Sequence, residues 1–170
     1  QIQKRVKELG SQISRDYAGQ ELLIVCILRG GVMFTTDLIR EIDVPLAIEF
    51  MGVSSYGTGV RQSEGEVRIT LDLNTSVTGK NILIVEDIID SGHTLSSVIE
   101  ILQTRNPKSV YICTLLDKFE RREVDVPIRY CGFQIKNEFV FGYGLDMDEY
   151  YRNLPFVGTV NLDKYEPPHG

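Results

Sequence analysis

ILIVEDIIDSGHTL, residues 82–95, decides how this chain is read: an apolar run meets two carboxylates, then a third beside Ser-Gly-His-Thr. Ile82, Leu83, Ile84 and Val85 carry no polar alternation, which fits a strand covered on both faces in a parallel sheet. Glu86 and Asp87 are expected at its carboxyl end, the side on which open α/β sheets bind ligands. The loop Asp90-Ser91-Gly92-His93-Thr94 follows, and Leu95, Val98, Ile99 and Leu102 then recur at helical spacing. Thr94 or Ser91 is placed to cap that helix, whose free N–H groups suit a phosphate. Strand, acidic pair, small-residue loop and helix, in that order, read as an active site.

Taken alone, the pair Glu86-Asp87 has several readings: acceptors for ribose hydroxyls, a magnesium site, a phosphoacceptor, or a solvated turn. Mg²⁺ prefers carboxylate oxygens and substrate phosphates. Adjacent carboxylates also suit a diol, so the two side chains could hold a ribose near a metal while the next loop takes its phosphate.

Outward from this segment, Ile2, Val6, Leu9, Ile13 and Tyr17 recur at helical spacing, and ELLIVCIL at 21–28 reads as a strand broken by Arg29-Gly30-Gly31. A helix from Met33 to Ile42 leads through Pro45 to an apolar segment, Leu46 to Met51, completing a strand, helix, strand unit of the kind that builds parallel sheets. Residues 53–66, VSSYGTGVRQSEGE, are polar and rich in Gly and Ser, so a mobile lid loop is expected there. Val67, Ile69, Leu71 and Leu73 alternate with polar residues, as in a half-buried strand. Further strands are expected at 109–116 and 156–160. Residues 117–155 mix charges, aromatics and glycines without a sustained period, which suggests a small subdomain over the mouth of the sheet.

The expected architecture is thus a single α/β domain over residues 1–170, with a mainly parallel central sheet, helices on both faces and a small C-terminal hood. Length allows one domain with a full core. With 18 basic and 24 acidic side chains the net charge is −6, which argues against a broad nucleic-acid surface. Cys26, Cys113 and Cys131 are odd in number and lack metal-ligand spacing, so reduced thiols in the cytoplasm are expected. No apolar stretch approaches membrane-spanning length and nothing at the start resembles a signal peptide, so no membrane partner is expected.

VEDIIDSGHTL resembles the signature of phosphoribosyltransferases that bind phosphoribosyl pyrophosphate. Nearly the whole chain resembles the hypoxanthine-guanine phosphoribosyltransferase family. Four segments match in order: LRGG at 28–31, SSYG at 54–57, the signature at 85–95, and LLDK with FVFGYGLDMDEYYRNLP within 115–155. The resemblance implies the type I phosphoribosyltransferase fold and transfer of the 5-phosphoribosyl group to N9 of a 6-oxopurine, hypoxanthine or guanine, with Mg²⁺. It also implies a homodimer or homotetramer in purine salvage.

The resemblance carries roles onto matched residues. Glu86 and Asp87 would accept the ribose hydroxyls, directly or through metal-bound water, and Asp90 would face purine N7 as the catalytic proton acceptor or donor. Ser91, Gly92, His93 and Thr94 would cradle the 5′-phosphate, His93 chiefly through its backbone. Lys118 would donate to O6 and so reject adenine. Phe139 would stack on the ring while the backbone of Val140 reads its edge. Asp146 would position a second magnesium, and Arg152 would contact pyrophosphate. Arg29 and Gly30 would turn a backbone amide toward pyrophosphate, often through a cis non-proline peptide. Lys is common where this chain has Arg29, so no side-chain contact is carried over. Ser55 and Tyr56 would lie on the lid that excludes water.

Two other classes can be separated from this reading. A nucleic-acid-binding regulator on the same fold should show a basic face, against the acidic balance here. A receiver-like signalling domain would use the acidic pair around Mg²⁺ but leaves Ser-Gly-His-Thr and Lys118 without a purpose. Within the enzyme class, a preference for xanthine is the alternative.

Overall fold

Every side chain from Leu22 to Ile27 is buried, as a strand requires when both of its faces are covered. The computed structural model describes residues 1–55, 67–161, 164 and 165. In chain order its elements are α1 (Ile2–Asp16), β1 (Leu22–Leu28), α2 (Val32–Arg40), β2 (Leu46–Ser55), β3 (Val67–Leu71), β4 (Asn81–Ile89), α3 (His93–Gln103), β5 (Ser109–Asp117), β6 (Ile128–Gln134), β7 (Val140–Phe141) and β8 (Gly158–Thr159).

The main sheet runs β3-β2-β1-β4-β5-β6, parallel throughout except for β3. The order grows one way from β1 and the other way from β4, which places the switch point of the winding between these two strands. Side-chain alternation divides the core. Leu22, Ile24, Leu83 and Val85 pack with Val6, Leu9 and Ile13 of α1 and with Phe34 and Leu38 of α2. Leu23, Val25, Ile82 and Ile84 pack with Leu95, Val98, Ile99 and Leu102 of α3. A continuous apolar run therefore serves both layers, because successive strand residues face opposite sides. Arg5 of α1 donates to the carbonyls of Gly132 and Cys131 at 3.0 and 2.8 Å, covering part of edge strand β6.

The structure differs from the sequence expectations in several places. β4 does not stop at the acidic pair: Ile88 opposite Leu116 and Ile89 opposite Asp117 carry the ladder on, so Glu86 and Asp87 lie inside the strand. β2 runs to Ser55, opposite Val67, so Val53–Ser55 are strand rather than loop. The rest of the expected lid, 56–66 with Tyr56, lies outside the described residues. Within 117–155, β6 joins the main sheet. Of its seven residues only Tyr130 is fully buried, so it shows no period of two. The expected strand at 156–160 is only β8, paired with β7 in a separate two-stranded sheet. Among the described residues no helix is long and apolar enough to cross a membrane.

Candidate active site

The carboxyl ends of β1 and β4 meet at the switch point, and their side chains define the site. Glu86 and Asp87 are both buried. Asp87 packs against Gly30: a Cβ on that glycine would lie 1.8 Å from Asp87 Oδ2, so no other residue fits without moving the carboxylate. The peptide between Leu28 and Arg29 is cis. Glu86 lines a cavity of about 260 Å³ with Ile27, Val53, Asp90, Ser91 and Thr94. Burial pushes the Glu86 carboxyl well above its ordinary value, and the neighbouring charge of Asp87 adds to the rise.

Asp90 follows β4 at the cavity mouth, with Arg121 Nε 3.0 Å from Oδ1 and Lys118 Nζ 3.5 Å from Oδ2. The Lys118 side chain is only 12% exposed. It is fixed where β5 ends, and its backbone N–H donates to the Ile89 carbonyl at 3.0 Å.

Helix α3 begins differently from the expected Ser or Thr cap. Gly92 takes the N-cap position with φ +94°, and no side chain caps the helix. The glycine is required twice over: its φ is left-handed, and a Cβ would lie 2.5 Å from the Val124 carbonyl. The first N–H groups of a helix have no partner within it, so an uncapped start beside the cavity suits an anion. His93 directs Nε2 to Glu123 at 2.9 Å and is not among the cavity-lining residues.

The chain from Phe139 to Arg152 approaches the Arg29-Gly30 loop and supplies no residue to the lining of the cavity. Phe139 is exposed and Val140 buried. Gly144, at φ +103°, approaches the carbonyl of Gly30 so closely that a Cβ would lie 2.1 Å from it. Arg152 donates to the Gly144 carbonyl at 2.8 Å and pairs with Asp146 at 2.7 Å. Arg29 extends into solvent and pairs with Glu149 at 2.8 Å. Ser55 ends β2.

The acidic pair fits a hard divalent cation. Among the described residues neither carboxylate has an ion-pair partner, and buried carboxylates need a compensating charge. No three acidic, His or Cys side chains among the described residues converge on one point, and Asp146 is turned to Arg152. A cation here would complete its shell from substrate oxygens and water, as Mg²⁺ commonly does.

Sequence reasoning missed three contributors. Arg121 and Arg122 lie in FERRE, which reads as solvated surface. Arg122 instead forms a buried ion pair with Asp117, and Arg121 reaches Asp90. Tyr143 donates to Asp37 at 2.5 Å, tying the hood to α2. Only the aromatic between two glycines, Gly142-Tyr143-Gly144, gave a local signal.

The arrangement offers an anion cradle, buried carboxylates for hydroxyls or a cation, a proton acceptor beside a lysine, and an exposed aromatic face. Comparison with known proteins identifies the family. The family model described as phosphoribosyl transferase domain matches residues 1–148. A hypoxanthine phosphoribosyltransferase of Salmonella typhimurium is 54% identical over 164 residues, spanning 95% of this chain and 92% of the relative. A hypoxanthine-guanine phosphoribosyltransferase of Staphylococcus aureus is 51% identical over 164 residues, spanning 96% and 91%. A crystal structure of a hypoxanthine phosphoribosyltransferase from Staphylococcus aureus superposes with a TM-score of 0.92 at 49% identity, covering 98% of this chain and 90% of that one.

Proposed function

This chain belongs to the phosphoribosyl transferase domain family, and from that premise we propose that it transfers the 5-phosphoribosyl group to N9 of hypoxanthine and guanine. The donor is phosphoribosyl pyrophosphate, and the products are the nucleoside monophosphate and pyrophosphate. The single observation that carries this reading is the grouping of Glu86, Asp90, Ser91 and Thr94 on one cavity at the switch point.

Ser91, Gly92, His93 and Thr94 hold the 5′-phosphate, chiefly through N–H groups at the start of α3. Glu86 and Asp87 face the ribose hydroxyls, and their negative charge favours the cationic character that C1′ gains as its bond to pyrophosphate breaks. The N9–C1′ bond forms as that bond breaks, and Asp90 takes the proton from N7. Lys118 donates to O6. An exocyclic amino group would leave the ammonium unpaired, which selects against adenine. Phe139 stacks on the purine and the backbone of Val140 reads its edge. Gly30 presents its amide to pyrophosphate, with Arg152 on the same anion.

Glu86 and Asp87 would hold Mg²⁺, with Asp146 a further ligand once it leaves Arg152, and the ion would supply charge neutralisation for the leaving group. Ser55 and Tyr56 are assigned to the donor, and residues 117–155 contribute the base-binding hood. Three free cysteines support a cytoplasmic enzyme. Exposed Ile48 and Phe50 on β2 support a homodimer or homotetramer.

The test is steady-state pyrophosphate release with the donor and Mg²⁺, comparing hypoxanthine, guanine, xanthine and adenine. Release with hypoxanthine and guanine, and none with adenine, is expected. No release with any base defeats the reading.

A further inference from the structure

We propose that Arg121 is a positioning residue for Asp90: it holds Oδ1 so that Oδ2 is the oxygen that meets the purine N–H. This rests on the role of Asp90 given under Proposed function and adds a residue to it.

Asp90 lies between two backbone anchors to one short segment. The Ile89 carbonyl accepts from the N–H of Lys118 at 3.0 Å, and the Ser91 carbonyl accepts from the N–H groups of Glu123 and Val124 at 2.9 and 3.1 Å. Between these anchors, Phe119–Arg121 forms a single 3-10 turn, closed by the Arg121 N–H on the Lys118 carbonyl at 2.9 Å. Buried pairing of Arg122 with Asp117 fixes the far side of the turn. Arg121 and Asp90 are 31 residues apart in sequence, yet both sit on backbone held at each end.

The two cations on Asp90 are not equivalent. Lys118 comes from the interior, 12% exposed, and is 3.5 Å from Oδ2. Arg121 comes from the solvent side, 47% exposed, and is 3.0 Å from Oδ1. A 6-oxo group offers the lysine a better-placed acceptor. When Nζ turns to it, Oδ2 is released for the purine N–H while Arg121 keeps Oδ1 and prevents the carboxylate from rotating. Arg121 does not touch the reacting atoms. It acts on the orientation of the group that does, which is where small displacements are costly in rate.

The experiment measures steady-state kinetics of Arg121→Met and Arg121→Lys, each in the parent and in the Asp90→Asn background. Exposed ion pairs contribute little to folding, so the variants remain folded. Arg121→Met is expected to lower kcat for hypoxanthine about tenfold, a fraction of what a positioned acid–base group contributes. KM for phosphoribosyl pyrophosphate stays unchanged, and Arg121→Lys recovers most of the loss. In the Asp90→Asn background the same substitution has no further effect, because its target is already removed. Full activity in Arg121→Met, or an equal loss in both backgrounds, overturns the assignment. An inactive parent protein defeats the proposed function and the assignment with it, whereas an active parent with an unaffected Arg121→Met defeats the assignment alone.

Discussion

The two ends of the main sheet carry cavities of nearly equal size and opposite character. The one at the carboxyl ends holds about 260 Å³ and is lined by Glu86, Asp90, Ser91 and Thr94. The one at the amino ends holds about 240 Å³ and is lined by Leu22, Leu23, Pro45, Leu46, Ala47, Glu21 and Lys80. Volume does not distinguish them, but polar bookkeeping does. At the amino end the buried Asn81 side chain donates to the Glu21 carbonyl at 3.2 Å and accepts from the Ser109 hydroxyl at 2.9 Å, so it is spent joining β1, β4 and β5. At the carboxyl end Glu86 and Asp87 are buried and, among the described residues, neither has a cation beside it, an arrangement that costs stability and suits a ligand. One end holds the sheet together, and the other has the chemistry of a candidate binding site.

The contrast breaks most sharply at Asp90. Asp90→Asn should lower kcat by about 10²–10⁴-fold while donor affinity, read by titration, barely changes. A variant with parent turnover would remove Asp90 from the chemistry. Gly30→Ala comes next. Its methyl group must displace Asp87, and a shift of this kind should cost about 10²-fold in kcat/KM for the donor. If donor kinetics survive, the approach of Gly30 to Asp87 has no functional weight.

At the other end the effects should fall on stability alone. Asn81→Ala leaves buried partners unpaired and should cost about 1–3 kcal/mol in chemical denaturation, with kcat unchanged. A loss of turnover at constant stability would mean that the amino end is not merely structural. The smallest effect is expected for Arg105→Met, which removes the bond from Arg105 to Asp72 at 2.8 Å. Hydrogen bonding to Arg105 holds the Asp72 carboxyl below its ordinary value of 3.8. The pair's contribution, up to about 1 kcal/mol, is therefore present above that value and lost as pH falls through the lower folded one. Melting temperatures of the parent and Arg105→Met should differ at neutral pH and converge in acid. A difference that persists or grows in acid would contradict the sign.

Much of the site was legible because local chemistry writes it into short segments. The apolar run ending in Glu86-Asp87, the loop 90–94 and the stripe of α3 each follow from period and residue type, and resemblance added Lys118 and Phe139. The cap of α3 was misread because the left-handed φ of Gly92 and its contact with the Val124 carbonyl depend on a segment some thirty residues away. β6 was missed because an edge strand with one deeply buried residue leaves no alternation to find. Arg121 and Arg122 share one charged run, yet one is a buried partner of Asp117 and the other reaches Asp90 at the surface.

By itself the sequence determined the α/β winding, the end of the sheet where the candidate site lies and the residue types available there, since apolar periodicity and loop composition are local properties. Tertiary structure alone decided which charges meet. The approach of Gly30 to Asp87, of Gly144 to Gly30 and of Arg121 to Asp90 brings together residues distant in the chain. Their contact depends on how layers and loops pack, and no local period records it.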